Sequence, residues 1–298
     1  DFLTTGANDR LFTDAFFGNL SFNAIDLNGN PFFPIGVNKR FDAFADDPER
    51  GPEFEGLWYW GMTRAPLELI AYIVENDRSY QEVVTADYMM VNPTTSEILL
   101  SEVSFDEGAG HLVYKPGQNQ GQTVEDDKLT TRFVQGIGTQ VMSWEIIQYP
   151  HAGVLNSHAF LNRYPTTETN RNRARARWTY YHFLGVDIEK SAGRTTDPEA
   201  LADTDNPTLN NPACTVCHVL HDPVAGTFQN YGNDGKYRDS SGALDSLPDT
   251  YKFPEDFNEN AEPSEYQSGD TWFRDMREPG IDWKLAPDPI NSLQWLGQ

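Results

Sequence analysis

Apolar residues recur at the spacing of one helix face in TRAPLELIAYIVEND, where Leu67, Ile70, Ala71 and Val74 fall three and four apart. This spacing predicts a helix from Thr63 to Asp77, with Pro66 tolerated in its first turn. SYQEVVTADYMMVNP predicts a second helix from Ser79 to Pro93, with Ser79 as cap and Glu82 three residues on. The pair predicts an αα-hairpin. Helical character returns in QVMSWEIIQYP and is strongest in TETNRNRARARWTYYHFLGV, which Thr169 or Asn170 can cap and Gly185 can end.

Between these segments the pattern loses its period. The first sixty residues mix Asn, Gly, Pro and aromatics and predict packed loops and short helices. The patch KPGQNQGQ predicts an exposed loop or a hairpin tip near a domain boundary, and 187–212 is a polar, Pro- and Asp-containing approach to the next motif. After Gly226 the chain is loop-like. It either drapes over the helical body through Tyr231, Tyr237, Tyr251, Phe253 and Phe257 or forms a partner-binding arm. There is no internal repeat. The fold class expected is mainly α with long irregular loops.

Composition narrows the partners. The chain has 298 residues, 38% hydrophobic, enough for a sizeable core in one large or two modest domains. A net charge of -23 argues against nucleic acid, because such a chain repels phosphate, and favours cationic partners. No apolar run is long enough to span a bilayer. The start at Asp1, without a leader, and the end in what looks like the opening of an amphipathic helix, NSLQWLGQ, lead us to expect a piece of a longer precursor.

The only two cysteines stand in NPACTVCHVLHDPVAG. C-x-x-C-H is the attachment signature of c-type haem, in which two thiols form thioethers with the vinyl groups and the adjacent histidine ligates the iron. Cys214, Cys217 and His218 fill those positions, within one helical turn. A zinc site is a weaker reading, since adjacent Cys217 and His218 are awkward as co-ligands and no second ligand pair lies at the usual distance. A thioredoxin-like pair needs a preceding strand, which DTDNPTLNNPA is not, and a plain disulfide remains open for a chain outside the cell.

Beyond the motif, CTVCHVLHDPVAGTFQNYGNDGKYR resembles the pattern C-x-x-C-H, Asp-Pro, Gly, Tyr/Phe, Gly-x-Tyr/Trp-Arg of large cytochrome-c-domain proteins of planctomycete and proteobacterial type. It departs from them in placing the Asp-Pro step four rather than about three residues past the histidine, and in Ala225 before the glycine. APLELIAYIVENDRSYQEVVTADYMMVNP resembles the helical domain that precedes their haem domain, and GVLNSHAFLNRYPTTETNRNRARARWTYYHFLGV the segment between the two. The likeness covers roughly residues 60 to 240. It implies a helical and loop domain over 1–125, then a c-type haem domain over 126–298 with a loop-rich acidic C-terminal segment.

The ligand opposite His218 separates an electron carrier, which needs one, from an enzyme, which needs that position open. His221 is one turn from His218 on the same side and cannot reach across. Among His111, His151, His158, His182 and the five methionines, His158 in GVLNSHAFL is the first candidate and Met142 the second. Met89, Met90 and His182 read as core residues. One or two of the arginines at 171, 173, 175 and 177 are expected to fork onto haem propionates, with Arg175 and Arg177 put at the cofactor, or onto the chain's own acidic excess; the competing reading is a solvated basic surface. Calcium is a second candidate cofactor, at Asp26, Asn28 and Asn30 or at Asn233, Asp234 and Asp239, where turn chemistry explains the residues equally well.

No independent catalytic motif is present. The expectation is a mono-haem c-type cytochrome, periplasmic, secreted or at the cell surface, that passes electrons to a redox protein with a basic surface or within a larger complex. Two alternatives stand beside it: a haem-dependent oxidoreductase of peroxidase-like or oxidative-degradation type, and an interaction subunit of an extracellular assembly.

Overall fold

In the computed structural model, the residues described are 56–99, 101–119, 149–164, 172–203, 207–229, 231, 277–287 and 292–298, isolated positions 3, 5, 7 and 11, and the backbone of 51–55, 129–133 and 140–144. These residues are mainly α-helical, with three two-stranded antiparallel sheets among them.

The first element is longer than its periodicity suggests. Helix α1 spans Gly51–Glu75 and carries Pro66 in its interior, so part of the stretch expected as loops is helical. The added turns exist because they have something to bury. Trp58 and Met62 close a small apolar cluster with Val91, Ile98 and Leu99, the last two on α3 (Pro93–Leu99).

The second predicted helix does not run its length. It stops after α2 (Glu82–Thr85), and Met89–Val91 is instead strand β1, paired with β2 (Lys115–Gly117) in the register Met90 to Pro116. The reason is tertiary. The carbonyls of Val83 and Ala86, which a continuing helix needs as acceptors, take hydrogen bonds from Val154 N (2.8 Å) and Gly153 N (3.0 Å). Gly153 has a positive φ of 56°, and a Cβ there would collide with the Val83 carbonyl oxygen, so only glycine brings the two segments this close. The αα-hairpin is therefore replaced by a helix, a short strand and a loop.

Residues expected as helical in QVMSWEIIQYP include strand β4 (Gln140–Trp144), antiparallel to β3 (Leu129–Phe133) with Thr131 opposite Met142. β-branched and aromatic residues are frequent in both strands, and period-2 pairing suits them better than a helix.

The remaining helices build the site. α4 is His158–Arg163 and α5 is Arg173–Thr179, which continues as a π-turn, Tyr180–Leu184, ended by Gly185 at a φ of 70° as its position predicts. Three short helices follow: α6 (Ile188–Ser191), α7 (Pro198–Leu201) and α8 (Pro207–Asn210). α9 (Pro212–Gly226) carries the cysteine motif and packs on α5. A hairpin of β5 (Gly280–Ile281) and β6 (Lys284–Leu285) lies against α9, and α10 (Ser292–Gly297) packs near α2.

The main core joins Leu67, Leu69 and Ile73 of α1 to Phe160 of α4, Ala176 of α5, Val224 of α9, and Phe228. It draws on both sides of the boundary expected at residue 125. Tyr231, the first aromatic of the C-terminal segment, is buried in it, and its hydroxyl donates to Pro150 O at 3.1 Å. Tyr237, Tyr251, Phe253 and Phe257 lie outside the described residues.

Candidate functional site

The cysteine motif lies in the first two turns of a well-started helix. Asn211 is its N-cap, its side-chain oxygen accepting from Ala213 N at 3.0 Å, and Pro212 takes the first helical position, where no N–H is missed. Cys214 and Cys217, three apart, therefore share a helix face, and His218 follows directly. Both thiols are free and half-buried, and both line a cavity of about 530 Å³ with His218 and His221. That volume is within the roughly 300–1,000 Å³ of ordinary cofactor and ligand clefts.

A charged triad backs the histidine. His218 Nδ1 lies 2.9 Å from Asp222 Oδ1, one turn along the same helix. Arg173, from α5, grips the same carboxylate with a fork, Nε to Oδ1 at 2.8 Å and Nη2 to Oδ2 at 3.1 Å. The Asp222 side chain is wholly buried. Burial alone pushes its carboxyl up, but the His218 hydrogen bond and the Arg173 charge outweigh it, so its pKa falls below the ordinary carboxylate value. An ionised carboxylate can only accept, so His218 carries its proton on Nδ1, and in the neutral ring Nε2 holds the lone pair.

His221 is arranged the opposite way. Its Nε2 is 2.6 Å from the Arg173 carbonyl oxygen, which can only accept, so that nitrogen carries the proton. Burial pushes its pKa down to about 4, keeping the ring neutral. Arg173 is thus held at its carbonyl by His221 and at its guanidinium by Asp222.

The cavity lining combines apolar and charged side chains. Leu201 and Val216 line it while remaining 67% and 54% exposed, the kind of apolar surface a flat hydrophobic ligand would cover. Trp178 forms part of the wall, with the Arg177 guanidinium 5.3 Å from its ring centroid. Arg177 forks onto Asp187 at 3.0 Å and reaches Glu189 at 2.8 Å, and exposed Arg194 reaches the same Glu189 at 3.2 Å.

The structure brings together Cys214, Cys217, His218 and Arg177, and leaves two expected residues elsewhere. Arg175 is fully buried, away from the cavity lining, and donates to the carbonyls of Tyr164 (3.0 Å), Tyr231 (2.8 Å) and Leu161 (3.1 Å) and to Asn172 Oδ1 (2.9 Å). It ties chain segments together and does not reach for a cofactor. His158 begins α4 and lines a second, smaller cavity with Met62, Met89 and His151, not the one beside His218. Met142 lies on β4, whose side chains are outside the described residues, as are Arg171, Met276 and both calcium candidates. The arginines at 173 and 177 are not a solvated surface, being paired with the chain's own carboxylates.

Sequence reasoning missed Arg173, Asp222, Trp178 and the rim of α6 and α7. One signal was legible: Asp222 stands four residues after His218, the spacing at which helical side chains meet. Among the described residues no three or more His, Cys, Asp and Glu side chains are grouped to hold a bare metal ion.

No family model matches the chain, and no curated protein and no solved structure is similar to it.

Proposed function

We propose that the chain is a mono-haem c-type cytochrome that transfers electrons outside the cytoplasm. The observation that carries this reading is the start of α9, where Cys214, Cys217 and a carboxylate-backed His218 in its first two turns line one cavity. The residues present fit the group. Two free thiols on one face would supply the thioethers, His218 would supply Nε2, and Leu201, Val216 and Trp178 offer apolar surface to a macrocycle; Arg177 and Arg194 also line the cavity but are paired with Asp187 and Glu189. When bound, the haem supplies a one-electron couple.

The chain's own residues then do three things. Asp222 orients His218, the exposed apolar side chains of Leu201 and Val216 offer surface for a macrocycle to cover, and the net charge of -23 steers a basic redox partner toward the molecule in a salt-dependent way. Attachment of haem to this motif outside bacterial cytoplasmic membranes places the protein in the periplasm, at the surface or in the medium. No described helix is long and apolar enough to cross a membrane.

A haem oxidoreductase is the second reading, favoured by the composition of the wall. Among the described residues lining the cavity the only histidines are His218 and His221, and there is no methionine. One experiment tests both readings: spectra of the protein produced with a cytochrome c maturation system, in both redox states, with and without cyanide or carbon monoxide. A c-type pyridine haemochrome band is expected, and its absence overturns the haem assignment. Low-spin iron indifferent to added ligand is the carrier; high-spin iron that binds ligand is the oxidoreductase.

A further inference from the structure

The least expected feature of the cavity is a buried charge behind the histidine. A ligating histidine needs an acceptor for its second ring nitrogen, and a neutral main-chain carbonyl would suffice. Here the acceptor is the Asp222 carboxylate, wholly buried, 2.9 Å from His218 Nδ1, with the Arg173 fork on its other side. Arg173 is itself fixed at both ends by the consecutive residues His221 and Asp222, so the carboxylate cannot swing away without unpacking α5 from α9.

We infer that Asp222 is the positioning residue of the haem site, fixing the His218 ring and lowering the reduction potential of the bound iron, with Arg173 as the opposing adjustment. The inference rests on the proposed haem ligation by His218. A charged acceptor makes a stronger hydrogen bond than a neutral one and leaves more electron density at Nε2. Density at the ligating nitrogen favours ferric over ferrous iron. Arg173 keeps the buried charge from being isolated and withdraws part of its effect. Removing either partner therefore shifts the potential, in opposite directions.

The test uses the full chain with haem attached in vivo. If the wild type gives no c-type haemochrome band, the haem reading fails and takes this inference with it. Given the band, potentiometric titration of Asp222→Asn is expected to raise the ferrous-to-ferric ratio at a fixed ambient potential at least tenfold, equal to 59 mV for a one-electron couple. Asp197→Asn removes an exposed charge from a helix cap outside the cavity and is expected to change the ratio less than twofold. An Asp222→Asn ratio within that twofold range overturns the inference while leaving haem attachment intact. Arg173→Gln retains the carboxylate and is expected to move the ratio the other way; no change, or a change in the same direction as Asp222→Asn, overturns it. Should Asp222→Asn fail to accumulate, Arg173→Gln and the wild type carry the test. In the ferrous wild type the His218 Nδ1 proton should exchange slowly with solvent by NMR, and fast exchange overturns the inference.

Discussion

Among the described residues, two cavities are each lined by a pair of histidines, and they differ in almost everything else. One, beside His218 and His221, holds about 530 Å³ and is bounded by Arg173, Arg177 and exposed apolar side chains. The other, beside His151 and His158, holds about 20 Å³, room for about one water, and is lined by Met62, Leu69 and Met89. In the small cavity His151 spends Nε2 as acceptor for Asn119 N at 2.9 Å, and its ring is core material. In the large one a carboxylate takes the far nitrogen of His218. The difference teaches that a histidine's role follows from what occupies its other nitrogen and how much space lies before it. Position in a family-like segment, which put His158 first, is weaker guidance.

The sharpest way to break the comparison is to remove an imidazole from each cavity. Cys217→Ser or His218→Ala is expected to abolish the native haem spectrum of holoprotein made with a maturation system. His158→Ala should leave that spectrum in place and lower stability by about 1–3 kcal/mol, as loss of a buried polar side chain does. Optical spectra and urea melts read the two effects separately. A His158→Ala protein with an altered low-spin spectrum would return that residue to the iron.

A second contrast lies between two arginines on one helix. Arg175 is buried among three carbonyls and Asn172, whereas Arg177 is one quarter exposed at the cavity rim. Arg175→Met orphans several buried acceptors and is expected to cost about 3–5 kcal/mol. Arg177→Met should cost about 0–1 kcal/mol, because partly exposed ion pairs are worth little. Chemical denaturation decides it, and equal losses would mean that Arg177 is as structural as Arg175.

These residues also show what was legible beforehand. Cys214, Cys217 and His218 are neighbours in the chain, so their convergence needed only one helical turn. The part of α1 from Thr63 to Glu75 and the helical segment ended by Gly185 were legible because local spacing and a terminal glycine dictate them. What escaped were contacts across sequence. Arg173 meets Asp222 over 49 positions, and Gly153 and Val154 take the carbonyls that would have extended α2. Alternate arginines look equivalent along the chain, and only tertiary packing separates them: Arg173 clamps Asp222 of α9, Arg175 ties carbonyls of Leu161, Tyr164 and Tyr231, and Arg177 pairs with Asp187 and Glu189 beside the cavity.

Acid should act on buried histidines in both cavities, His151 in the small one and His221 in the large. Burial holds His151 at about 4, below the 6.5 of an ordinary imidazole. The unfolded chain therefore takes up the proton first as pH falls. The contribution of neutral His151 is fully present above pH 6.5 and is lost as pH falls to about 4, by roughly 3 kcal/mol at 1.36 kcal/mol per pKa unit. His221, buried and also pushed down to about 4, adds a loss of the same sign in the same window, and His182, pushed down to about 4 chiefly by burial, adds a smaller one because it is only partly buried. Thermal melts of the apoprotein from pH 8 to pH 4 should show this loss, and His151→Gln, which can still accept from Asn119 N, should reduce it. An unchanged slope would mean that His151 is not the group responsible.

The smallest effect separates the two histidine helices at their first residues. Ser157 caps α4, its hydroxyl accepting from Phe160 N at 3.3 Å and donating to Val154 O at 2.7 Å. Asn211 caps α9 through Ala213 N and also donates to Asp203 Oδ2 at 2.8 Å, tying the start of the cysteine turn to the polar approach that precedes it. Either change to Ala is expected to cost about 1 kcal/mol. Only Asn211→Ala should also slow or reduce haem attachment, because it loosens the turn in which Cys214 and Cys217 must share a face. The yield of covalent haem per folded chain, compared between the two variants, measures that difference. Equal yields would mean that the first turn of α9 is held by its packing on α5 and not by its cap.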